Sequence, residues 1–241
     1  MGYSCVEYVD AGRANGTGFA RLPNEILRDP MAFNTDDVRA PEGLRTDEFV
    51  LRPILASDAE LDYEAVMESK EFLRRWEQSS WPADDFTVDA NREDLDKLVR
   101  RHADGESFTY TVMNTTETQC LGCVYILPTT ACFFSKGQIT ALDRAKWSAY
   151  EVAVYFWIRK ARLADELDRR LLDALGTWLG HDWRVENYLI VTNEQFEQQV
   201  TLIEGAGLQL KFRFERPNEP GKSLAYANHA SGAQQQRPAV E

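Results

Sequence analysis

The residues best placed to do chemistry lie together in one stretch, residues 151–164. An acidic residue is followed by the apolar run 152–158, which predicts a buried strand. The chain then turns through three basic residues, in the run Arg159-Lys160-Ala161-Arg162-Leu163-Ala164, toward a predicted helix. Because a helix N-terminus offers unbonded backbone N–H groups and the positive end of the helix dipole, this turn predicts a site for a phosphorylated ligand.

Two side chains of the predicted strand are candidates for proton transfer. Glu151 stands at the strand's start and is a candidate general base, because a buried carboxylate can have a raised pKa. Its alternative role is that of a salt-bridged residue at a strand end. Tyr155 is a candidate general acid, with packing in the core as the alternative.

The elements that must position these residues follow from hydrophobic periodicity. Ser57 and Glu60 predict a capping box at the start of a first helix, and Thr87 predicts the cap of a second. Residues 114–119 suit a hairpin link, and residues 128–148 are expected to be an irregular insertion. Strands are expected at residues 48–54, 108–113, 120–127, 150–158, 188–192 and 208–215, with further helices at 163–180 and 194–204. This order predicts a three-layer α+β fold, a mixed and mostly antiparallel sheet with helices on both faces.

Composition divides the chain into three parts. Residues 1–46 are rich in Gly, Asn, Asp and Pro without periodicity and are expected to form an irregular extension. Residues 47–215 form the predicted domain. Residues 216–241 are polar, contain prolines and a glutamine run, and are expected to be a disordered tail.

Charge and cysteine content exclude several functional classes. The formal net charge of −12 disfavours nucleic-acid binding, and no apolar run is long enough for a membrane span. No signal peptide is recognisable, so a cytoplasmic protein is expected. Cys120 and Cys123 form a single CxxC, but residues three apart on a strand point to opposite faces, so no metal or redox site is expected.

The stretch 151–164 and the order of elements around it resemble the GNAT superfamily of acyl-CoA-dependent N-acetyltransferases. The family signature is Gln/Arg-x-x-Gly-x-Gly/Ala; Arg159 and Ala164 match its ends, and Leu167 stands where a leucine belongs. Arg162 replaces the middle glycine, and Ile203 stands where a general-acid tyrosine is often found. The resemblance covers about residues 48–214.

The resemblance implies transfer of an acetyl group from acetyl-CoA to a primary amine, carried by a small molecule or a peptide, without a metal. A homodimer is left open. The two departures leave an alternative, a catalytically degenerate module that binds acyl-CoA or a partner protein. Trp76 and Trp81 are implied to contact the amine substrate, with packing as their alternative. The residues implied to contact coenzyme A are Val152, Ala153, Val154, Arg159, Lys160, Ala161, Arg162, Leu163, Ala164 and Asn193, the last with helix capping as its alternative.

Overall fold

The computed structural model describes residues 40–217 and 219–228, and the expectations for residues 1–39 and 229–241 lie outside these ranges. The strands are β1 (Leu44–Arg45), β2 (Phe49–Pro53), β3 (Phe108–Asn114), β4 (Cys120–Pro128), β5 (Gln138–Ala141), β6 (Val152–Ile158), β7 (Tyr188–Asn193), β8 (Gln209–Glu215) and β9 (Ser223–Ala227). The α-helices are α1 (Ala59–Glu68), α2 (Lys70–Glu77), α3 (Val88–Ala103), α4 (Cys132–Ser135), α5 (Leu167–His181) and α6 (Glu197–Gly205). Across the described ranges, none of these helices has the length and apolar character that a membrane span requires.

The strands form one sheet in the order β1-β2-β3-β4-β6-β7-β9-β8-β5. Strands β6 and β7 are parallel, and every other neighbouring pair is antiparallel. Helices α1–α4 pack on one face and α5 and α6 on the other. The predicted fold class, a mixed and mostly antiparallel sheet between two helical layers, is confirmed.

Strand β6 lies at the centre of this sheet and is buried on both faces. Tyr155 and Trp157 point into the core under α1–α4, and Val154 and Phe156 point into the core under α5 and α6. Side chains alternate between faces along a strand, so both cores need apolar residues from β6. This explains why the stretch reads as a continuous apolar run.

Two of the predicted boundaries are wrong. Residues 128–148 are not irregular: they contain α4 and the edge strand β5, which pairs with β8 at the far end of the sheet. The tail expected from Arg216 contains β9, which inserts between β7 and β8. All five residues of β9 are buried, because both faces of this part of the sheet are covered.

The first predicted helix cap is wrong and the second is confirmed. Residues 56–58 form a 3₁₀ turn ahead of α1, and among the described residues no side chain caps the helix. The carboxylate of Asp58 instead pairs with both terminal nitrogens of Arg52, at 2.7 and 2.9 Å. Thr87 Oγ1 accepts a hydrogen bond from the N–H of Ala90 at 3.1 Å, as a cap of α3 should.

The expectation that Cys120 and Cys123 face opposite ways is also wrong. The register between β3 and β4 shifts at this point, and a β-bulge turns both thiols to one face. The two sulfurs lie 3.7 and 3.9 Å from the same oxygen, Oδ1 of the buried Asp62. In the described part of the chain, no group of three or more potential ligands could hold a metal ion.

Candidate functional site

The first component of the site is a gap between the parallel strands β6 and β7. The two strands pair only from Val152 with Tyr188 to Val154 with Ile190. Past this point the side-chain amide of Gln199, on α6, donates to the backbone C=O of Phe156 at 3.0 Å. Because the N–H and C=O of one strand residue point the same way, the Phe156 N–H also faces the gap. The gap therefore offers a strand edge to a ligand with amide groups.

The second component is the turn that follows β6. Residues 160–162 form a 3₁₀ turn, and α5 begins at Leu167. Within residues 40–217 and 219–228, the backbone N–H groups of Ala161, Ala164 and Asp165 have no hydrogen-bond acceptor. Leu163, between them, donates its N–H to Lys160. Three unbonded donors at the entrance of a 15-residue helix suit an anionic ligand.

Arg159 points away from this turn. Its side chain is buried, and the guanidinium pairs with Glu68 at 2.6 Å and with Glu64 at 3.1 Å, both on α1. The same guanidinium donates to the C=O of Cys120 at 3.4 Å. These ion pairs hold α1 against the end of β6 and neutralise the charge of Arg159.

The other two basic residues of the turn have different surroundings. Arg162 pairs with Asp165 at 2.8 Å. The N–H of Lys160 donates to Ser69 Oγ at 3.1 Å, while its side chain is exposed and, among the residues described, pairs with no carboxylate. Lys160 is therefore the cation of this turn with its charge available to a ligand.

The carboxylates at the start of α5 are oriented so that they leave these donors open. Asp168 is buried, and its carboxylate accepts from the N–H of Arg169 and from the side-chain amide of Gln198 on α6. Burial raises the pKa of Asp168. Glu166 is exposed and adopts a left-handed conformation with φ of 56°. Neither carboxylate accepts from Ala161, Ala164 or Asp165.

The third component is a small pocket on the opposite side of the gap. Trp76, at the end of α2, Tyr155, on β6, and Asn193, at the end of β7, all line it, so the structure brings together three residues that the sequence singled out. Thr192 and Gln78 also line it. In the described ranges Thr192 Oγ1 and Gln78 Oε1 are buried without a hydrogen-bond partner, but Thr192 pairs with Leu224, so its side chain faces α5 and α6, and Gln78 Oε1 lies beside Gly221.

Asn193 contacts this pocket but holds the fold together at the same time. Its amide nitrogen donates to the C=O groups of Arg75 and Trp76, at 2.9 and 2.6 Å, and its oxygen accepts from the N–H of Gln195 at 2.9 Å. It ties the end of α2 to the end of β7 and caps the turn before α6. Asn193 does not cap α6 itself, because the N-cap of that helix is Phe196 and no side chain caps it in the described ranges, and its contact with coenzyme A remains a prediction.

Two predicted residues lie apart from the pocket. Glu151 precedes β6, and its carboxylate accepts from the N–H groups of Glu186 and Asn187 at 3.2 and 3.3 Å. Four residues of strand, about 13 Å, separate it from Tyr155. Trp81 packs edge-on against Phe86 at 5.8 Å between ring centroids and does not line the pocket. The role of Glu151 as base remains a prediction.

Sequence reasoning missed most of the residues that line the pocket, among them Glu77, Phe133, Arg216 and Glu219. Phe133 lies in the insertion that reads as irregular, and Arg216 and Glu219 lie in the polar segment that reads as a tail. Only the pairing of β8 with β9 brings that segment over the gap. The alternation of Ser223-Leu224-Ala225-Tyr226-Ala227 was the available signal for that pairing.

No protein-family model and no curated protein sequence matches this chain significantly. Solved structures do match it. RimL, a ribosomal L7/L12 alpha-N-protein acetyltransferase solved in complex with coenzyme A, is 13% identical, with a TM-score of 0.58 over 78% of this chain and 97% of that one. The ribosomal-protein-S5-alanine acetyltransferase of Vibrio fischeri is 15% identical, with a TM-score of 0.58 over 79% and 97%.

A third similar structure is the microcin C7 self immunity acetyltransferase MccE in complex with acetyl-CoA and AMP. It is 12% identical, with a TM-score of 0.59 over 78% of this chain and 97% of that one. At these identities the likeness is one of fold, and it extends over nearly the whole of each acetyltransferase. The chain described here has the GNAT acetyltransferase fold.

Proposed function

We propose that this protein is an N-acetyltransferase that moves an acetyl group from acetyl-CoA to a primary amine. The observation that carries the proposal is the gap between β6 and β7, which has an anion-binding turn at one end and the pocket around Tyr155 beside it. A long ligand with phosphates at one end and a reactive group at the other fits such an arrangement. The coenzyme A complexes of proteins with this fold support it.

The residues present fit acetyl-CoA. The open strand edge of the gap suits the amide groups of the pantetheine arm, and the N–H groups of Ala161, Ala164 and Asp165 suit the pyrophosphate. Lys160 adds a positive charge at the same turn. These are backbone groups in the main, so the fit depends little on side-chain identity.

Arg162 in place of the signature glycine does not block this fit. A glycine is required where φ is positive, and Arg162 is not among the residues with positive φ. It lies in a 3₁₀ turn that any L-residue can adopt, and its guanidinium lies beside Asp165. The turn can therefore present its N–H groups without a glycine at this position.

The reaction requires a neutral amine, because an ammonium has no lone pair. Glu77 lines the pocket, and we assign it to take the proton from the acceptor ammonium, with Glu151 as the competing base predicted from the sequence. The amine nitrogen then attacks the thioester carbonyl carbon, and the Phe156 N–H is positioned to stabilise the oxyanion. The carbon–sulfur bond breaks, the Tyr155 hydroxyl protonates the departing thiolate, and the resulting tyrosinate takes back a proton from the new amide nitrogen.

Thiol release from acetyl-CoA across a panel of primary amines tests the proposal, with calorimetric titration of acetyl-CoA alongside. Glu77→Gln is expected to lower kcat about 10²-fold or more while acetyl-CoA affinity is unchanged. Glu151→Gln serves as the matched control, because its amide oxygen can still accept from the same two N–H groups. A loss of turnover in Glu151→Gln with normal turnover in Glu77→Gln would transfer the role of base to Glu151.

The second candidate function is acyl-CoA binding without catalysis. The observation that favours it is the commitment of Arg159 to Glu64 and Glu68, which leaves the turn with fewer charges for phosphate than the signature implies. Acetyl-CoA binding without thiol release for any amine would support this second function. Absence of acetyl-CoA binding would refute both.

A further inference from the structure

Gln199 is a buried polar residue of α6 whose side chain reaches the gap between β6 and β7. It is 3% exposed and lies on the same helix face as Ile203, which packs into the core under α5 and α6. Positions on such a face are usually apolar, because a buried carboxamide needs hydrogen-bond partners for both its NH₂ group and its oxygen. The partners of Gln199 must therefore be found at the gap itself.

One half of the Gln199 carboxamide is satisfied and the other half is not. Its Nε2 donates to the C=O of Phe156 at 3.0 Å, which fixes the orientation of the amide, because an amide oxygen cannot donate to a carbonyl. Its Oε1 is buried and has no hydrogen-bond partner among the residues that the structure describes. The two atoms of a carboxamide are about 2.2 Å apart, so this acceptor lies at the same gap. Since buried acceptors are nearly always paired, Gln199 Oε1 is positioned for an N–H donor that a ligand brings.

Contacts on either side of Gln199 hold this part of α6 in place. Gln198 donates its side-chain amide to the buried carboxylate of Asp168 and so ties α6 to the start of α5. Phe196, three residues before Gln199, packs edge-on against Phe72 of α2, with 4.6 Å between the ring centroids. Because α6 is attached to both helical layers, a ligand that enters the gap meets the Gln199 amide where it stands.

We propose that Gln199 positions the pantetheine arm of acetyl-CoA. Its Nε2 keeps the hydrogen bond to Phe156, and its Oε1 accepts an amide N–H of the arm. Gln199 thereby replaces the acceptor that it occupies, because the Phe156 carbonyl would otherwise receive an N–H that runs along this strand edge. The inference rests on the proposed function and adds a side chain to a site built mainly from backbone groups. Displacement of the Gln199 amide by the arm is the alternative that the experiment separates.

Calorimetric titration of two ligands locates the contact: acetyl-CoA, and adenosine 3′,5′-bisphosphate, which carries phosphates but no arm. Gln199→Met keeps the length of the side chain and removes both polar atoms. This variant is expected to bind acetyl-CoA about 10-fold more weakly and the bisphosphate with unchanged affinity. Gln209→Met is the matched control, because Gln209 is exposed and pairs with Ala227, level with the part of the sheet where β6 and β7 still pair. Both affinities should keep their wild-type values in the control.

Two analogues of acetyl-CoA, each with one amide N–H of the arm replaced by an ester oxygen, test the hydrogen bond itself. In the wild-type protein at least one analogue is expected to bind about 10-fold more weakly than acetyl-CoA, and Gln199→Met should remove that difference. Comparing ligands on the same protein cancels any general loss of stability in the variant. The wild-type arm of this experiment also decides the inference if Gln199→Met does not fold, because equal binding of acetyl-CoA and both analogues would overturn it.

The other outcomes separate this inference from the proposed function. Tighter acetyl-CoA binding by Gln199→Met would show that the arm displaces the amide, and a difference between ligands that persists in Gln199→Met would assign the bond to the strand backbone. Either result overturns the inference and leaves the acetyltransferase standing. The expected affinities without thiol release for any amine would refute the acetyltransferase and retain Gln199 as the residue that holds the arm.

Discussion

Replacing Arg159 with methionine separates the role that the family signature implies from the role that the structure assigns. The signature makes this residue part of the coenzyme A site. The structure buries its guanidinium against Glu64 and Glu68 on α1. Methionine keeps the length and the apolar stem of the side chain and removes the charge. We therefore expect Arg159→Met to reduce stability and to leave acetyl-CoA affinity nearly unchanged.

The expected loss of stability follows from the exposure of the partners. Removing one member of a fully buried ion pair costs about 3–5 kcal/mol, because the other charge is left buried. Here the side chains of Glu64 and Glu68 are 65% and 38% exposed, so both carboxylates regain water when the arginine is removed. The free energy of unfolding should fall by about 2 kcal/mol after this solvation is counted. For a chain of this length, that corresponds to about 4–8 °C in Tm.

Lys160→Met is the matched variant, since it removes a positive charge from the next residue. The Lys160 side chain is exposed, so its loss should change the free energy of unfolding by less than about 0.5 kcal/mol. Acetyl-CoA affinity should fall about 3- to 10-fold at low ionic strength, and less at high salt, because the charge is screened. Thermal unfolding gives the first quantity, and calorimetric titration at two salt concentrations gives the second.

The opposite pattern would refute the assignment. If Arg159→Met weakened acetyl-CoA binding more than Lys160→Met and left Tm unchanged, the guanidinium would have to leave α1 and contact phosphate in the complex. Equal losses of stability in the two variants would remove the structural distinction between them.

Three further substitutions test the frame around the site. Gly122→Ala places a Cβ 2.1 Å from the backbone oxygen of Trp157 at a φ of 157°, so we expect the free energy of unfolding from chemical denaturation to fall by at least about 3 kcal/mol. Gly180→Ala is the control: its Cβ would meet no described atom within 4 Å, so the substitution should be neutral or stabilising. Burial raises the pKa of Asp62 above 3.8, which means that the folded state favours the protonated carboxyl. The resulting contribution to the free energy of unfolding is present below the unfolded-state pKa and is lost as pH rises through the folded-state pKa. Urea unfolding of Asp62→Asn should therefore show an advantage over wild type that grows from pH 4 to pH 8, and parallel curves would contradict it. Asn193→Ala should lower the free energy of unfolding by about 2–3 kcal/mol through its three lost hydrogen bonds, and an unchanged urea midpoint would show that they are replaced by water.

The central part of the fold could be predicted because its signals are local. The alternation in β3 and β4, the continuous apolar run of β6 and the helical period of α5 each arise from which faces of an element are buried. Strand β9 escaped prediction because five residues among prolines and glycines give a weak period. Its identity as a strand depends on β7 and β8, which are adjacent to it only in space.

The contacts of the candidate site depend even more on distant residues. Arg159 and its partner Glu64 are 95 residues apart in the chain, and no local pattern links them. Cys120 and Cys123 point to the same face of the sheet because a β-bulge shifts the register between β3 and β4. The alternation of side chains along a strand sequence does not show where such a bulge lies. The residue types of the turn were readable from the sequence, whereas the directions of its side chains were not.

These distant contacts connect the turn after β6 with the pocket through helices α1 and α2. The α1–α2 pair is attached to the turn after β6 through Arg159 with Glu68 and through Ser69 with the N–H of Lys160. Its other end is attached to β7 through Asn193, next to Trp76 in the pocket. An acceptor that displaces the end of α2 would therefore strain contacts on both strands that border the gap. This coupling predicts that amine and acetyl-CoA binding depend on each other, and by thermodynamic linkage each must change the affinity of the other by the same factor.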